Sequence, residues 1–169
     1  FEIDLAEVRR ELEDWHVLIS QTTVGRRLPN RLLLEVYERQ PVAQLTQPRG
    51  RLIDDEGRLL PSRADSRSWL LPIITGVPGA AKVEPGAVLE SELLQSALYL
   101  LELISTESYG KFLQVNLIQI DHSGEALKVF VQERKPFREG ACIVLPAEQV
   151  AMRSALRRME EIVRQRLKA

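Results

Sequence analysis

Two histidines, a single cysteine and a run of three carboxylates are the residues whose types could do chemistry in this chain. His122 follows Asp121 and precedes Ser123, so a metal-ligand pair or a serine–histidine relay is the first chemistry to weigh. Neighbours in sequence rarely face one another productively, and a Ser-His-Asp relay needs a third group from elsewhere. "DHSG" is better read as a turn. His16 falls where a helix should end, with no cysteine or carboxylate at recognisable metal spacing. Asp54, Asp55 and Glu56 sit before Gly57, where carboxylates are usually solvated; a paired acid/base site would need burial to separate their pKa values. "GVPGAA" (76–81) lacks the lysine and the strand–helix context of a phosphate loop. Cys142 lies within an apolar strand and reads as inert core. A single cysteine excludes an intrachain disulfide and a Cys-rich zinc site, and leaves the redox compartment open. The reading is therefore non-enzymatic, with no catalytic residue, cofactor or metal expected.

Charge narrows the partners. Lys and Arg total 23 against 24 Asp and Glu, for a net charge of -1. A nucleic-acid binder would show a basic excess. Arg153, Arg157, Arg158, Arg164, Arg166 and Lys168 gather near the C-terminus. They suit a solvated helix face, with Glu160 supporting Arg164 at i,i+4 and the cations favoured by the helix dipole. An acidic partner is the other use for them.

The positioning elements follow from periodicity. Asp4 can cap a helix over 4–14, with Glu7 in the capping-box position and Leu5, Val8 and Leu12 at helical spacing. "VLISQTTV" (17–24) is a strand by its β-branched content. "RRLPNR" turns the chain, and Leu32, Leu34 and Val36 alternate with Leu33, Glu35 and Tyr37 in a strand expected to bury one face. "PVAQL", "RLIDDEG" and "RLLP" are short strands, and "LIDDEGRLL" is a hairpin whose turn needs Gly57. Residues 61–68 and 76–88 are loops. Leu93, Leu94, Ala97, Leu98, Leu101 and Ile104 give 89–107 an amphipathic helix. "FLQVNLIQI" alternates over 113–120, with Leu113, Val115 and Leu117 on one face. "ALKVFVQER" returns, "ACIVLP" is a third strand, and 147–168 is a helix striped by Met152, Leu156, Met159, Val163 and Leu167. The class is α+β, in two units. No run reaches the roughly 18 apolar residues of a membrane span. The chain opens directly into a helix without an initiating methionine, and reads as a fragment that has lost an N-terminal part, an anchor included.

Trp15 and Val17, then Arg27, Pro29, Asn30, Leu32, Val36, Glu38, Arg39, Pro41, Val42 and Ala43, followed by "LIDDEG" (52–57) and "LPIITG" (71–76), resemble the FtsQ/DivIB bacterial cell-division family. The resemblance covers residues 3–80 by motif and 90–169 by element pattern. It implies a partial POTRA domain over 1–41, a helix and two strands, with its first strand and helix missing. A mixed or antiparallel FtsQ-type β domain with two packed helices would fill 42–169, its C-terminal strand absent. Unpaired sheet edges left by such trimming invite a strand-exchanged dimer.

Proline cannot donate to a ladder, so Pro41 is expected to mark the junction between the two units. Glu38 and Arg39 are expected to fix the angle there. The resemblance also implies a non-catalytic divisome scaffold at the septum, outside the cytoplasmic membrane and anchored by one membrane helix. Its partners would be FtsB/DivIC-like and FtsL-like proteins, one adding a strand to a sheet edge. The matching edge is 141–145, giving Ala141, Ile143, Val144 and Leu145, with Arg164 on the next helix, as partner-binding residues. Proline at Ile143 is the expected disruptor. The alternative is a POTRA-type module handling unfolded outer-membrane or secreted clients; a second β unit after Pro41 argues against it.

Overall fold

The computed structural model describes residues 4–46, 50–61, 70–121, 124–132 and 140–168, with side chains through 165. The fold is α+β. Three α-helices accompany a two-stranded antiparallel sheet and a mixed seven-stranded sheet among these residues. The chain divides into two compact units between Gln40 and Pro41.

The first unit is a helix on a hairpin. Asp4 Oδ1 accepts the amides of Ala6 and Glu7, so α1 (Leu5–Trp15) starts at its capping carboxylate. His16 ends the helix, its Nδ1 accepting the amide of Leu18. That is a local structural role for the first histidine. β1 (Ile19–Arg27) and β2 (Arg31–Glu38) pair antiparallel, with a bulge at Ser20 and Gln21. The turn between them carries a cis Leu28–Pro29 bond. Contrary to the alternation in its sequence, β2 buries neither face: every residue from Arg31 to Glu38 is exposed. α1 packs over β1, where Thr22 is buried, and among the described residues every side chain of β2 is exposed.

The second unit is a sheet with helices on one face. Its strands are β3 (Ala43–Leu45), β4 (Arg51–Ile53), β5 (Leu59–Leu60), β6 (Ile73–Thr75), β7 (Val115–Ile120), β8 (Ala126–Val131) and β9 (Ala141–Pro146). They lie in the order β5-β4-β3-β6-β7-β8-β9, parallel only across β3–β6 and β6–β7. Both parallel joins need long crossovers, and the one from β6 to β7 carries α2 (Glu92–Thr106).

Register sorts the side chains. Ala43, Leu45, Ile53, Ile74, Ile118, Leu127, Val129 and Leu145 are buried on the helix side. α2 and α3 (Gln149–Lys168) cover them with Leu94, Ala97, Leu100, Leu103, Met152, Leu156 and Val163. Leu100 and Leu103 join the stripe expected for α2, because this helix is buried around most of its girth.

The alternation expected over 113–120 breaks at Asn116. Val115 opposes Val131 and Leu117 opposes Phe130, so Asn116 is an extra residue in β7. The bulge turns Val115, Ile118 and Ile120 inward and leaves Leu117 half-buried on the opposite face.

Candidate functional site

A seven-stranded open sheet has two edges, and among the described residues only one of them is closed. At β5, the amide of Leu59 donates to Ala87 O, Gly86 N–H to Leu59 O and Leu89 N–H to Gly57 O. The segment 86–89 thus consumes that edge. At the other end β9 pairs with β8 alone, and among the described residues nothing pairs with its outer side.

Which groups does β9 offer? In an antiparallel pair, hydrogen-bonded and non-bonded residue pairs alternate. Ala147 N–H donates to Glu125 O at 2.9 Å, and the register continues Leu145↔Leu127, Ile143↔Val129 and Ala141↔Val131. Ala141, Ile143 and Leu145 therefore direct their amides and carbonyls into β8. Cys142 and Val144 direct theirs outward. β8 gives an independent check of the phase: Asp121 N–H donates to Ala126 O, so the even residues of β8 face β7 and the odd ones face β9.

The five residues expected to bind a partner differ in how the fold places them. Ala141, Ile143 and Leu145 hold the strand in place, with Leu145 buried and the other two packed against the core. Val144 remains on the free edge, its side chain 61% exposed. Arg164 is exposed but bonded to Glu160, Nη2 to Oε1 at 2.7 Å; Glu160 Oε1 also accepts Ser108 Oγ at 2.6 Å. Cys142, expected in the core, is an exposed free thiol on the helix-free face opposite Phe130. Sequence reasoning missed its place on the edge, although a signal was there. Pro146 has no N–H, so in an edge strand its nitrogen belongs on the outer side. Counting back in twos gives Val144 and Cys142.

The remaining arginines of α3 divide. Arg153 Nη2 meets Glu107 Oε1 at 2.5 Å. That hydrogen bond holds the Glu107 carboxyl below the ordinary glutamate value. Burial, then the Glu107 charge, pushes the Tyr109 phenol up. Arg157 and Arg158 are exposed. Arg166 and Lys168 have no described side chains.

The junction residues are placed only locally. Glu38 ends β2, Arg39 N–H donates to Leu18 O at 2.7 Å, and Pro41 precedes Val42, whose amide donates to Ile53 O.

The remaining candidate groups have local placements. Asp54, expected to be solvated, is buried; its Oδ1 accepts the amides of Glu56 and Arg58 at 3.1 and 2.7 Å, and it shapes the hairpin turn to Gly57 (φ 83°). Asp55 and Glu56 are exposed. His122 and Ser123 lie outside the described residues. A groove of about 780 Å³ runs along α2 past Val42, Pro72 and Leu101, with Asp55, Glu102 and Gln114 also in its lining. Its hydroxyls, on Ser105 and Thr106, are bonded to Glu102 O. Among the described residues no three His, Cys, Asp or Glu side chains gather as a metal site, and no helix is long and apolar enough to cross a membrane. What the second unit does present is a strand edge.

No known protein-family description matches this chain, and no curated protein matches it.

Proposed function

We propose that the protein is a non-catalytic scaffold of the bacterial division machinery, acting outside the cytoplasmic membrane and holding FtsB/DivIC-like and FtsL-like partners. The observation that carries the reading is that, among the described residues, the outer edge of β9 is open in a sheet whose opposite edge is closed by its own chain. An exposed edge is a hazard that proteins usually blunt with charge, proline or a cover. β9 has only Pro146 at its end, and it offers Cys142 and Val144 free in its middle. Such an edge suits β-augmentation, in which main-chain bonds give affinity and side-chain contacts give choice. The resemblance of residues 15–43, 52–57 and 71–76 to the FtsQ/DivIB signature supplies the class of partner.

The test is a titration of this chain with the extracytoplasmic parts of the FtsB/DivIC-like and FtsL-like proteins of the same genome. Saturable binding that Val144→Pro abolishes is expected. No binding well above micromolar concentration would overturn the scaffold reading and move client handling by a POTRA-type module ahead of it.

A further inference from the structure

The segment that closes the β5 edge is encoded by a few residues. Ala87 N–H donates to Glu84 O at 3.3 Å, closing a turn with Pro85 and Gly86 at its centre. Proline sets φ at the first central position, and glycine takes the positive φ at the second, 96° here. Gly86 N–H then donates to Leu59 O at 2.7 Å, while Leu59 N–H donates to Ala87 O at 3.0 Å. Two residues thus oppose one, a glycine bulge that leads the segment into antiparallel pairing, with Val88 across from Arg58. Two guanidiniums hold the same segment. Arg51 Nη1 donates to Val83 O, and Arg58 Nη1 donates to Gly86 O at 2.5 Å. By alternation Arg51 shares the helix side of the sheet with Ile53, and Arg58 lies on the face opposite to Leu59. The two arginines therefore grip from both faces. Val83 packs against the core and Leu89 is buried, but no residue from Glu84 to Val88 is buried. Main-chain bonds and arginine contacts, rather than apolar packing, hold this stretch down.

We propose that residues 84–88 form a strap that opens and closes over β5 as a unit of its own, latched shut by Arg51 and Arg58, and so gates this edge of the sheet. The inference stands apart from the division reading and uses no residue of β9. Segments with few buried apolar contacts and exposed main-chain bonds open at a lower free energy than the core around them. The strap fits that description between two fixed ends, Val83 and Leu89, so it lifts without unpacking α2 or the sheet. Opening frees the amide and carbonyl of Leu59. Unpaired groups on a strand edge template pairing with other chains, and the closed strap withholds them. Arg51 and Arg58 act through the strap carbonyls, so they are positioning residues whose loss shifts the balance toward the open form.

The test is native-state amide exchange of the full chain, read residue by residue by NMR. Local openings expose little surface, so their exchange is insensitive to low urea, whereas exchange through unfolding of the sheet accelerates with it. The amides of Leu59 and Gly86 should exchange by the urea-insensitive route. Those of Asp121 and Ala147, bonded at the other end of the sheet, serve as the reference. Arg51→Met with Arg58→Met keeps the side-chain bulk and removes both donors. It should speed exchange at Leu59 and Gly86 by about tenfold and leave Asp121 and Ala147 within about twofold of the parent. Either single substitution should give a smaller shift at the same two amides. Urea-dependent exchange at Leu59 and Gly86 in the parent would mean that the strap opens only with the sheet, and would overturn the proposal. Unchanged rates in the double variant, or equal acceleration at all four amides, would overturn the latch and the proposal with it.

Discussion

The amide of Ala147 donates to the carbonyl of Glu125 at 2.9 Å, and this one bond sets the phase of the whole last strand. Because of it, Ile143 and Val144, adjacent in sequence, have opposite duties. Ile143 closes the ladder to β8, and Val144 faces outward.

Proline substitution should separate the two. Ile143→Pro removes an N–H bonded inside the sheet and orphans its acceptor, a loss of about 1–3 kcal/mol. Val144→Pro removes only an outward N–H. Urea denaturation should show a clearly lowered midpoint for Ile143→Pro and a much smaller change for Val144→Pro. Equal destabilisation would mean that the phase assigned to β9 is wrong.

Gly76 ends β6 at φ 81°, and a Cβ there would lie 2.8 Å from Ile120 O, well inside contact distance. Gly76→Ala meets both a backbone conformation that L residues rarely adopt and a carbonyl held in the β7 ladder. A loss of more than about 1 kcal/mol is expected. Denaturant midpoints check it, with Gly79→Ala as control: its φ is 76°, but nothing lies within 4 Å of the added carbon.

Much of this architecture was legible. The Asp4 cap, the turn at Gly57 and the apolar spacing of α2 and α3 are local signals, and the chain obeys them. What stayed hidden depends on neighbours distant in sequence. A bulge at Asn116 exchanges the two faces of β7 without altering any residue type, so strict alternation named Leu117 where Ile118 is buried. The alternating leucines of β2 imply a buried face only if some element covers it, and α1 sits over β1 instead. Cys142 looked like core because its strand is apolar. A strand at the edge of a single-layered sheet buries only its helix side, and parity puts Cys142 on the other.

The core of the second unit rests on α3, so truncation there should be costly. Leu156 is fully buried against the sheet and α2, while Ile162 on the same helix is 57% exposed. Leu156→Ala should cost about 2–5 kcal/mol, the transfer term plus the cavity left behind. Ile162→Ala should stay within about 0.5 kcal/mol, as surface substitutions do. Paired chemical denaturation measures both. A large effect at Ile162 would show that its face of α3 is covered in solution.

The Glu107–Arg153 pair makes stability depend on pH in a defined direction. Glu107 sits where the chain leaves α2, and Arg153 is on α3, so the pair ties that helix to the α2–β7 connection. The Arg153 hydrogen bond holds the folded carboxyl below its ordinary value of 4.5. A carboxylate with a depressed folded pKa binds fewer protons folded than unfolded. Its contribution is therefore fully present above about 4.5, the unfolded value, and fades as pH falls through the lower folded value. Glu107→Gln removes the titration. Thermal midpoints of the two proteins should differ at neutral pH and converge in acid below pH 4.5. The neutral-pH gap should also narrow in high salt, because the pair is partly exposed. A gap that stays constant from neutral pH into acid would mean that Glu107 acts through packing alone.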